Sequence, residues 1–235
     1  RVDYLRVIIM ELARIADHII CNSIIAVDSG AFSGFLYVMQ YREKIYDIWE
    51  EVCGARLTTN IGRIGGMERD FNDAAWKKLE AFMKDFPKVW KEFIGLFERN
   101  KIFMDRTINC GPISAERAMA YGFTGPNLRA TGIDYDVRVM NPYSSYEDFD
   151  FQIPVGLKGD TYDRWTVRNE EVWQSMHIIK QAIEKMPEGN LFNIVLFNVA
   201  CKAWNTSLVP ATRANKDAAI AFVNKARAFG GTNIE

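Results

Sequence analysis

Histidine and cysteine are scarce in this sequence: its 235 residues include two histidines, His18 and His177, and four cysteines. Nucleophilic catalysis of the Ser-His or Cys-His kind needs an imidazole beside a nucleophile, and both histidines fall inside helical patterns with no strained nucleophile turn nearby. Neither has a partner at metal-ligand spacing, so no metal site is expected. Cys21, Cys53, Cys110 and Cys201 form no Cys-x-x-Cys pair, which excludes a zinc knuckle and argues against a disulfide framework; reduced, mostly buried thiols in a cytoplasmic-type compartment are expected. An excess of either charge is missing too. The 29 Lys and Arg stand against 30 Asp and Glu, a net charge of -1, and no nucleic-acid partner is expected from such a balance. No apolar run approaches the roughly 18 residues that cross a bilayer; the longest, residues 19–27, is broken by Asn22 and Ser23. A signal peptide is also lacking, and the chain opens on Arg1 inside a helical pattern, so a fragment without its natural start is expected.

What is present is apolar area. Hydrophobic residues make up 49% of the chain and aromatics 13%, too much for a disordered segment and enough for one large domain or two small ones. Leu5, Ile8, Ile9, Leu12, Ile15, Ala16, Ile19 and Ile20 recur at helical spacing, with Arg6, Arg14, Asp17 and His18 on the other face. Gly30 ends this helix just after Asp28. A second helix is predicted over 35–52, with Leu36, Ile45, Ile48, Trp49 and Val52 inward. Residues 54–66 read as a loop. Asp73 is the predicted cap of a third helix whose apolar residues keep register across Pro87, read as a kink. Ser114 caps a short helix that Gly122 closes.

The period then changes. Residues 148–155 alternate apolar and polar and read as a half-buried edge strand, with 134–140 as its candidate partner. A long helix is predicted over 163–186, stopped by Pro187 and Gly189. Beyond a boundary near Asn190, residues 191–197 and 199–204 read as a strand pair and 216–228 as a helix. The predicted class is α+β, mainly α: a helical bundle with a small β element, then a short β-β-α tail.

Three features carry chemical interest. Asp28 sits at the C-terminal end of a strongly apolar helix, where the dipole disfavours negative charge, so a cation, a donor or an imidazole is expected beside it if it is more than an exposed helix end. Gly62-Arg63-Ile64-Gly65-Gly66 matches neither the dinucleotide fingerprint nor the phosphate loop and reads as a tight turn presenting Arg63. Gly159-Asp160-Thr161-Tyr162-Asp163-Arg164 reads as a salt-bridged helix cap.

Ordered blocks then point to a family. Leu5-Arg6-Val7, Glu11-Leu12-Ala13-Arg14, Asp17-His18, Ala26-Val27-Asp28-Ser29-Gly30-Ala31, Arg42-Glu43-Lys44, Gly54-Ala55-Arg56, Ile113-Ser114-Ala115-Glu116, Gly122-Phe123-Thr124-Gly125-Pro126-Asn127-Leu128-Arg129, Tyr135-Asp136-Val137-Arg138 and Gly159-Asp160-Thr161-Tyr162-Asp163-Arg164 resemble the 49-kDa, or D, subunit of respiratory complex I over residues 1–189. The resemblance implies a fold related to the nickel-iron hydrogenase large subunit without its metal centre. It also implies a place in the quinone-reducing module of NADH-quinone oxidoreductase, peripheral on the cytoplasmic side of the inner membrane. Partners implied are the subunit holding the terminal [4Fe-4S] cluster, the C subunit and the membrane arm. Quinone is then the substrate, and NADH, FMN and iron-sulfur clusters are held by partner subunits.

By the same resemblance Asp28 stands where the family has an aspartate behind a quinone-contacting histidine, a residue that, with a pocket tyrosine, lies upstream of Arg1. Ile20, Ile24, Phe35 and Leu36 fall at positions that line the quinone cavity. Arg63, Gly65 and Gly66 keep part of a loop whose commoner form is Tyr-Ile-Arg-Pro-Gly-Gly. The alternative is a hydrogenase-like large subunit. Residues 190–235 resemble a von Willebrand A fragment, through Phe192-Asn193-Ile194-Val195-Leu196-Phe197, Leu208-Val209-Pro210-Ala211-Thr212 and Phe229-Gly230-Gly231-Thr232-Asn233-Ile234. An adhesion module would need a metal motif that should precede Leu191 and is missing, so Thr232 alone is not expected to hold an ion, and a join of two gene fragments is suspected.

Overall fold

The structure is a computed structural model and describes residues 1–187, 191–192, 194–197, 201–210 and 212–225. The chain divides into two compact units, one of Val2–Lys185 and one of Met186–Glu235 together with Arg1. The first is built on four long helices: α1 (Val2–Asp28), α2 (Phe32–Cys53), α3 (Asp73–Phe97) and, later in the chain, α8 (Thr161–Lys185). Helix α1 is the middle of the unit. It packs against α8 on one side and α2 on the other, and α2 in turn packs against α3. That sandwiching explains why Leu5, Val7, Ile8, Leu12, Ile15 and Ile19 are all but fully buried. It also corrects one face of the helix: His18, placed outward by periodicity, is buried at 4% exposure, because a helix between two neighbours has no fully wet side.

Local signals set the ends of the helices. Gly30, at φ +89°, closes α1 through a paired motif in which the Gly30 amide donates to Val27 and the Ala31 amide to Ala26, the Schellman arrangement a left-handed glycine permits. Asn72, not Asp73, caps α3, its side chain accepting from the Ala75 amide at 2.8 Å. Helix α3 continues through Pro87 without interruption. Ser114 caps α5 (Ala115–Ala120) and Gly122, at φ +70°, closes it as expected. Leu36 is 55% exposed rather than inward. Residues 54–66, read as loop, contain one strand of a small hairpin, β1 (Gly62–Arg63) with β2 (Gly66–Met67). Of the cysteines, Cys110 is exposed and Cys21 and Cys53 are half-buried, so the expectation of buried thiols fails for these three.

Short helices fill the span between α3 and α8: α4 (Lys101–Thr107), α5, α6 (Gly125–Arg129) and α7 (Val137–Met140), then a single 3-10 turn over Tyr146–Asp148. The strand pair expected here does not form. Residues 134–140 contain α7 instead, because Asp136 caps it by accepting from the Arg138 amide at 3.0 Å. Residues 149–156 run without a ladder partner. Two glutamines of α8 take the place of the neighbouring strand: Gln181 accepts from the Asp150 amide at 3.0 Å and donates to the Asp150 carbonyl, and Gln174 accepts from the Gln152 amide at 2.9 Å. The alternation is real, but a helix edge satisfies it.

In the second unit β3 (Leu191–Phe192) pairs with β6 (Val209–Pro210) and β4 (Val195–Phe197) with β5 (Cys201–Ala203), all antiparallel, and α9 spans Arg213–Asn224. The expected strand over 191–197 is therefore two short ones with different partners. Gly189, the boundary at Asn190, Val199, residues 226–228 of the last helix and the 229–234 block with Thr232 lie outside the described residues. The class is α+β, mainly α, and no described helix is long and apolar enough to cross a membrane.

Candidate functional site

The α1–α2 corner gathers five of the residues singled out by sequence. Ile20, Ile24 and Asp28 are spaced by four and form one stripe of α1. Across the short connection Phe35 and Leu36 lie in the first turn of α2. Ile24 is 44% exposed, Leu36 55% and Phe32 59%, and Phe32 stacks on Phe35 with ring centroids 5.9 Å apart. The corner thus shows an apolar surface to the outside, with Asp28 at its polar end. Gly34 lets α3 approach behind it: a β-carbon there would stand 3.0 Å from the Phe97 ring. The Asp28 carboxylate is exposed and makes no hydrogen bond or ion pair with any described residue. The cation expected near it is Arg106 of α4, which donates to the Ser29 carbonyl at 3.0 Å. It offsets the negative end of the helix without engaging the carboxylate, and no sequence spacing pointed to it.

Arg63, Gly65 and Gly66 are not at this corner. They form the β1–β2 hairpin, in which Gly65 takes φ +82° and Arg63 pairs with Glu68 at 2.7 Å. Arg6 clasps the hairpin by donating to the carbonyls of Arg63, at 2.6 Å, and Gly66. Arg6 and Asp28 are 22 residues apart on one helix, roughly 33 Å at 1.5 Å per residue, so the two sets of candidates lie at opposite ends of α1.

Between them runs a polar core that periodicity missed. His18 Nε2 lies 2.6 Å from Glu171 of α8, and Arg129 donates to the other Glu171 oxygen at 2.7 Å. Asn22 donates to Asn169 at 2.8 Å and to the Trp165 carbonyl at 3.1 Å. Toward the start of α1, Glu11 accepts from Tyr146 at 2.5 Å and from Arg138 at 3.1 Å. Arg138 also forks onto Asp136 at 2.7 and 3.0 Å, and Arg14 lies 3.5 Å from Glu11 and 3.6 Å from Glu171, bridging the two groups. Burial alone would raise the Asp136 pKa, but the bonds and charge of Arg138 outweigh it and hold the carboxyl at about 2. Glu171 behaves likewise: burial opposes ionisation, and His18, Arg129 and Arg14 together keep its pKa below the ordinary value. Burial, reinforced by Glu11, pushes the Tyr146 phenol up. A signal was present in the sequence: Glu11, Ile15, His18 and Asn22 fall at the 4-3-4 spacing of a single helix stripe, which is a core stripe carrying polar residues.

Comparison with known proteins fixes the family. The model of the respiratory-chain NADH dehydrogenase 49-kDa subunit matches residues 28–212. The chain belongs to this family. The D subunit of NADH-quinone oxidoreductase from Flavobacterium johnsoniae is 70% identical over 193 residues, 82% of this chain and 47% of the relative. The Cytophaga hutchinsonii counterpart, a D subunit designated 2, is 68% identical over 192 residues, covering 80% and 49%. The D subunit from Leptospira biflexa is 53% identical over 189 residues, covering 80% and 47%. The chain therefore spans about half the length of the curated relatives it matches. Asp28 is the first residue inside the family match, which includes Arg129, Asp136, Arg138, Asn169 and Glu171 of the polar core, while their α1 partners Glu11, Arg14, His18 and Asn22 precede it.

Proposed function

We propose that this 49-kDa-family chain supplies one wall of a quinone-reducing site in NADH-quinone oxidoreductase. The observation that supports the reading best is the α1–α2 corner: an exposed apolar surface of Ile24, Phe32 and Leu36 ending at an unpartnered carboxylate, Asp28. Apolar side chains suit an isoprenoid quinone. A carboxylate with free oxygens can accept from an imidazole brought by another part of the full subunit, fix its tautomer and raise its pKa, so that a proton is ready when the quinone takes two electrons. Asp28 is a positioning residue in this scheme, since it acts through that imidazole. The polar core between α1 and α8 holds the corner in place, and the Arg63 hairpin serves the opposite end of α1 as structure.

The same reading makes the rest of the complex the partner. A sister subunit carries the terminal [4Fe-4S] cluster, others carry FMN and bind NADH, and the assembly sits peripherally on the cytoplasmic face of the inner membrane beside the C subunit and the membrane arm. The division near residue 190, with a von Willebrand A-like tail, is likewise part of the proposal.

Asp28→Asn in the complete complex tests it. The expected outcome is a fall of about tenfold or more in NADH-to-quinone turnover, with NADH oxidation by a soluble acceptor that draws electrons upstream of the quinone left intact. Quinone turnover equal to the parent complex would sink the role of Asp28.

A further inference from the structure

The block that opens α8, Gly159-Asp160-Thr161-Tyr162-Asp163-Arg164, is not used by the quinone reading, and its charges are not arranged as a salt-bridged cap. Asp160 is buried and caps the helix by accepting from the amides of Asp163 at 2.9 Å and Asn109 at 2.8 Å. Asp163 accepts from the amides of Leu157 at 2.8 Å and Lys158 at 2.5 Å. Both carboxylates are thus occupied by backbone. Arg164 donates only to uncharged oxygens: the carbonyls of Gly159 at 2.5 Å and Gly111 at 3.2 Å, and the Thr161 hydroxyl at 3.0 Å.

Two more arginines lie beside it, likewise without a carboxylate partner, Arg168 buried and Arg117 exposed. Arg168, one turn on and buried, donates to the Arg164 carbonyl at 3.1 Å and to Asn127 Oδ1 at 2.9 Å. Arg117 of α5 lies over the Tyr121 ring, 5.5 Å from its centroid, and donates to its hydroxyl at 3.4 Å. Among the described residues none of the three has a carboxylate oxygen within 4 Å, in contrast to Arg129 and Arg138, which each have two carboxylate partners. Asp160 and Asp163 lie within electrostatic reach of Arg164, and Asp17 within reach of Arg168. Arg164 is half-buried with no directly paired carboxylate, which is unfavourable, and burial together with the charge of Arg168 holds its pKa below the ordinary value.

Arg117 and Arg164 line one open cavity of about 620 Å³, with Asn127, Tyr121, Phe123 and the backbone of residues 111–113 as its other walls. Its floor is rigid. Gly159 sits so close to the loop that a β-carbon would come within 2.3 Å of the Ile113 carbonyl, the Ile113 amide donates to the Gly159 carbonyl at 3.2 Å, and the Thr161 amide donates to the Cys110 carbonyl at 3.0 Å. Asn127 gives its oxygen to Arg168, which leaves its amide hydrogens for a ligand.

We propose that this cavity is an anion site for a phosphate group, held by the guanidinium fork of Arg117, the remaining N–H groups of Arg164 and the Asn127 amide. A planar guanidinium fork matches phosphate oxygens in pairs, and bound phosphate supplies the direct ion pair that these arginines lack among the described residues. The cavity is much larger than a bare phosphate, and Tyr121 and Phe123 face the organic remainder of the molecule. That molecule is either a soluble phosphate compound or the headgroup of an anionic phospholipid. The site stands apart from the α1–α2 corner and does not depend on the quinone reading.

Binding to the full chain distinguishes the sources and tests the site. The probes are inorganic pyrophosphate, followed by calorimetry, and vesicles of phosphatidylcholine with or without phosphatidylglycerol, followed by co-sedimentation. Arg117→Gln is the informative variant because Arg117 holds no backbone in place, and it is checked for an unchanged thermal midpoint without ligand. Pyrophosphate binding that weakens about tenfold in the variant supports the site with a soluble ligand. Sedimentation only with phosphatidylglycerol vesicles, weakened to the same degree, supports it with a lipid headgroup. No binding of either probe, or binding that Arg117→Gln leaves unchanged, overturns the proposal.

Discussion

Helices α1 and α2 meet their other neighbours in opposite ways. The α2–α3 side is aromatic: along α3, Phe82 stacks on Phe86 at 4.8 Å, Phe86 meets Trp90 at 5.7 Å, Trp90 stacks on Phe93 at 5.2 Å and Phe93 meets Phe97 at 5.1 Å. The α1–α8 side carries charge, with Glu11, His18, Glu171, Arg129, Asp136 and Arg138 all buried. An aromatic row is held by area and loses stability in proportion to what is removed. A buried charge cluster is held by completeness: each member neutralises others, so taking one away leaves uncompensated charge in a poorly solvated place. The two sides of one unit should therefore fail differently.

The sharpest separation is expected from Glu171→Leu, which leaves Arg129 with Asp136 at 3.6 Å as its remaining carboxylate and His18 and Arg14 short of a partner. A loss of about 3–5 kcal/mol is expected, read as a shift in the denaturant midpoint; a loss under about 1 kcal/mol would break the comparison.

Acid should act chiefly on the same side, where the lowered carboxylates are buried. The folded pKa of Asp136 is depressed to about 2 and that of Glu171 is also lowered. Their contribution is therefore complete above the ordinary carboxylate range near 4 and is lost as pH falls through their lowered folded values, about 2 for Asp136. Denaturation measured at steps between pH 4 and 2 should show a steep decline that Asp136→Asn flattens, and equal slopes in the two proteins would contradict the assignment.

A milder effect is expected from Phe86→Leu on the aromatic side, about 1–3 kcal/mol with a preserved two-state transition. Smallest of all is Arg56→Gln. Arg56 meets Glu43, Asp47 and Glu50 in the open, where solvent screens such pairs, so the thermal midpoint should stay in place.

Much of this fold was legible from residues. The helices carry long 3.6-residue stripes, and Gly30 and Gly122 mark ends that only a left-handed residue closes in this way. The residues of the α1–α2 corner were named through the family resemblance, and the four-residue spacing of Ile20, Ile24 and Asp28 puts them on one stripe of α1. The errors came where a distant partner decided the outcome. Residues 148–155 alternate as a strand does, and nothing local says that glutamines on α8 will satisfy the amides of Asp150 and Gln152. His18 looked solvent-facing because periodicity cannot count a helix's neighbours. Arg106 reaches Ser29 from 77 positions away, and the Arg63 hairpin stands far from Asp28 because both are fixed by α1, whose length separates them.

The two α8 glutamines have one more consequence. An alternating, phenylalanine-containing stretch with unoccupied amides is a template on which a second molecule can lay its own extended chain. Gln181 and Gln174 occupy the amides of Asp150 and Gln152 and so remove that template. Replacing both with leucine would leave α8 a good helix former, and the resulting protein would be expected to self-associate through residues 149–156 while its helices remain folded.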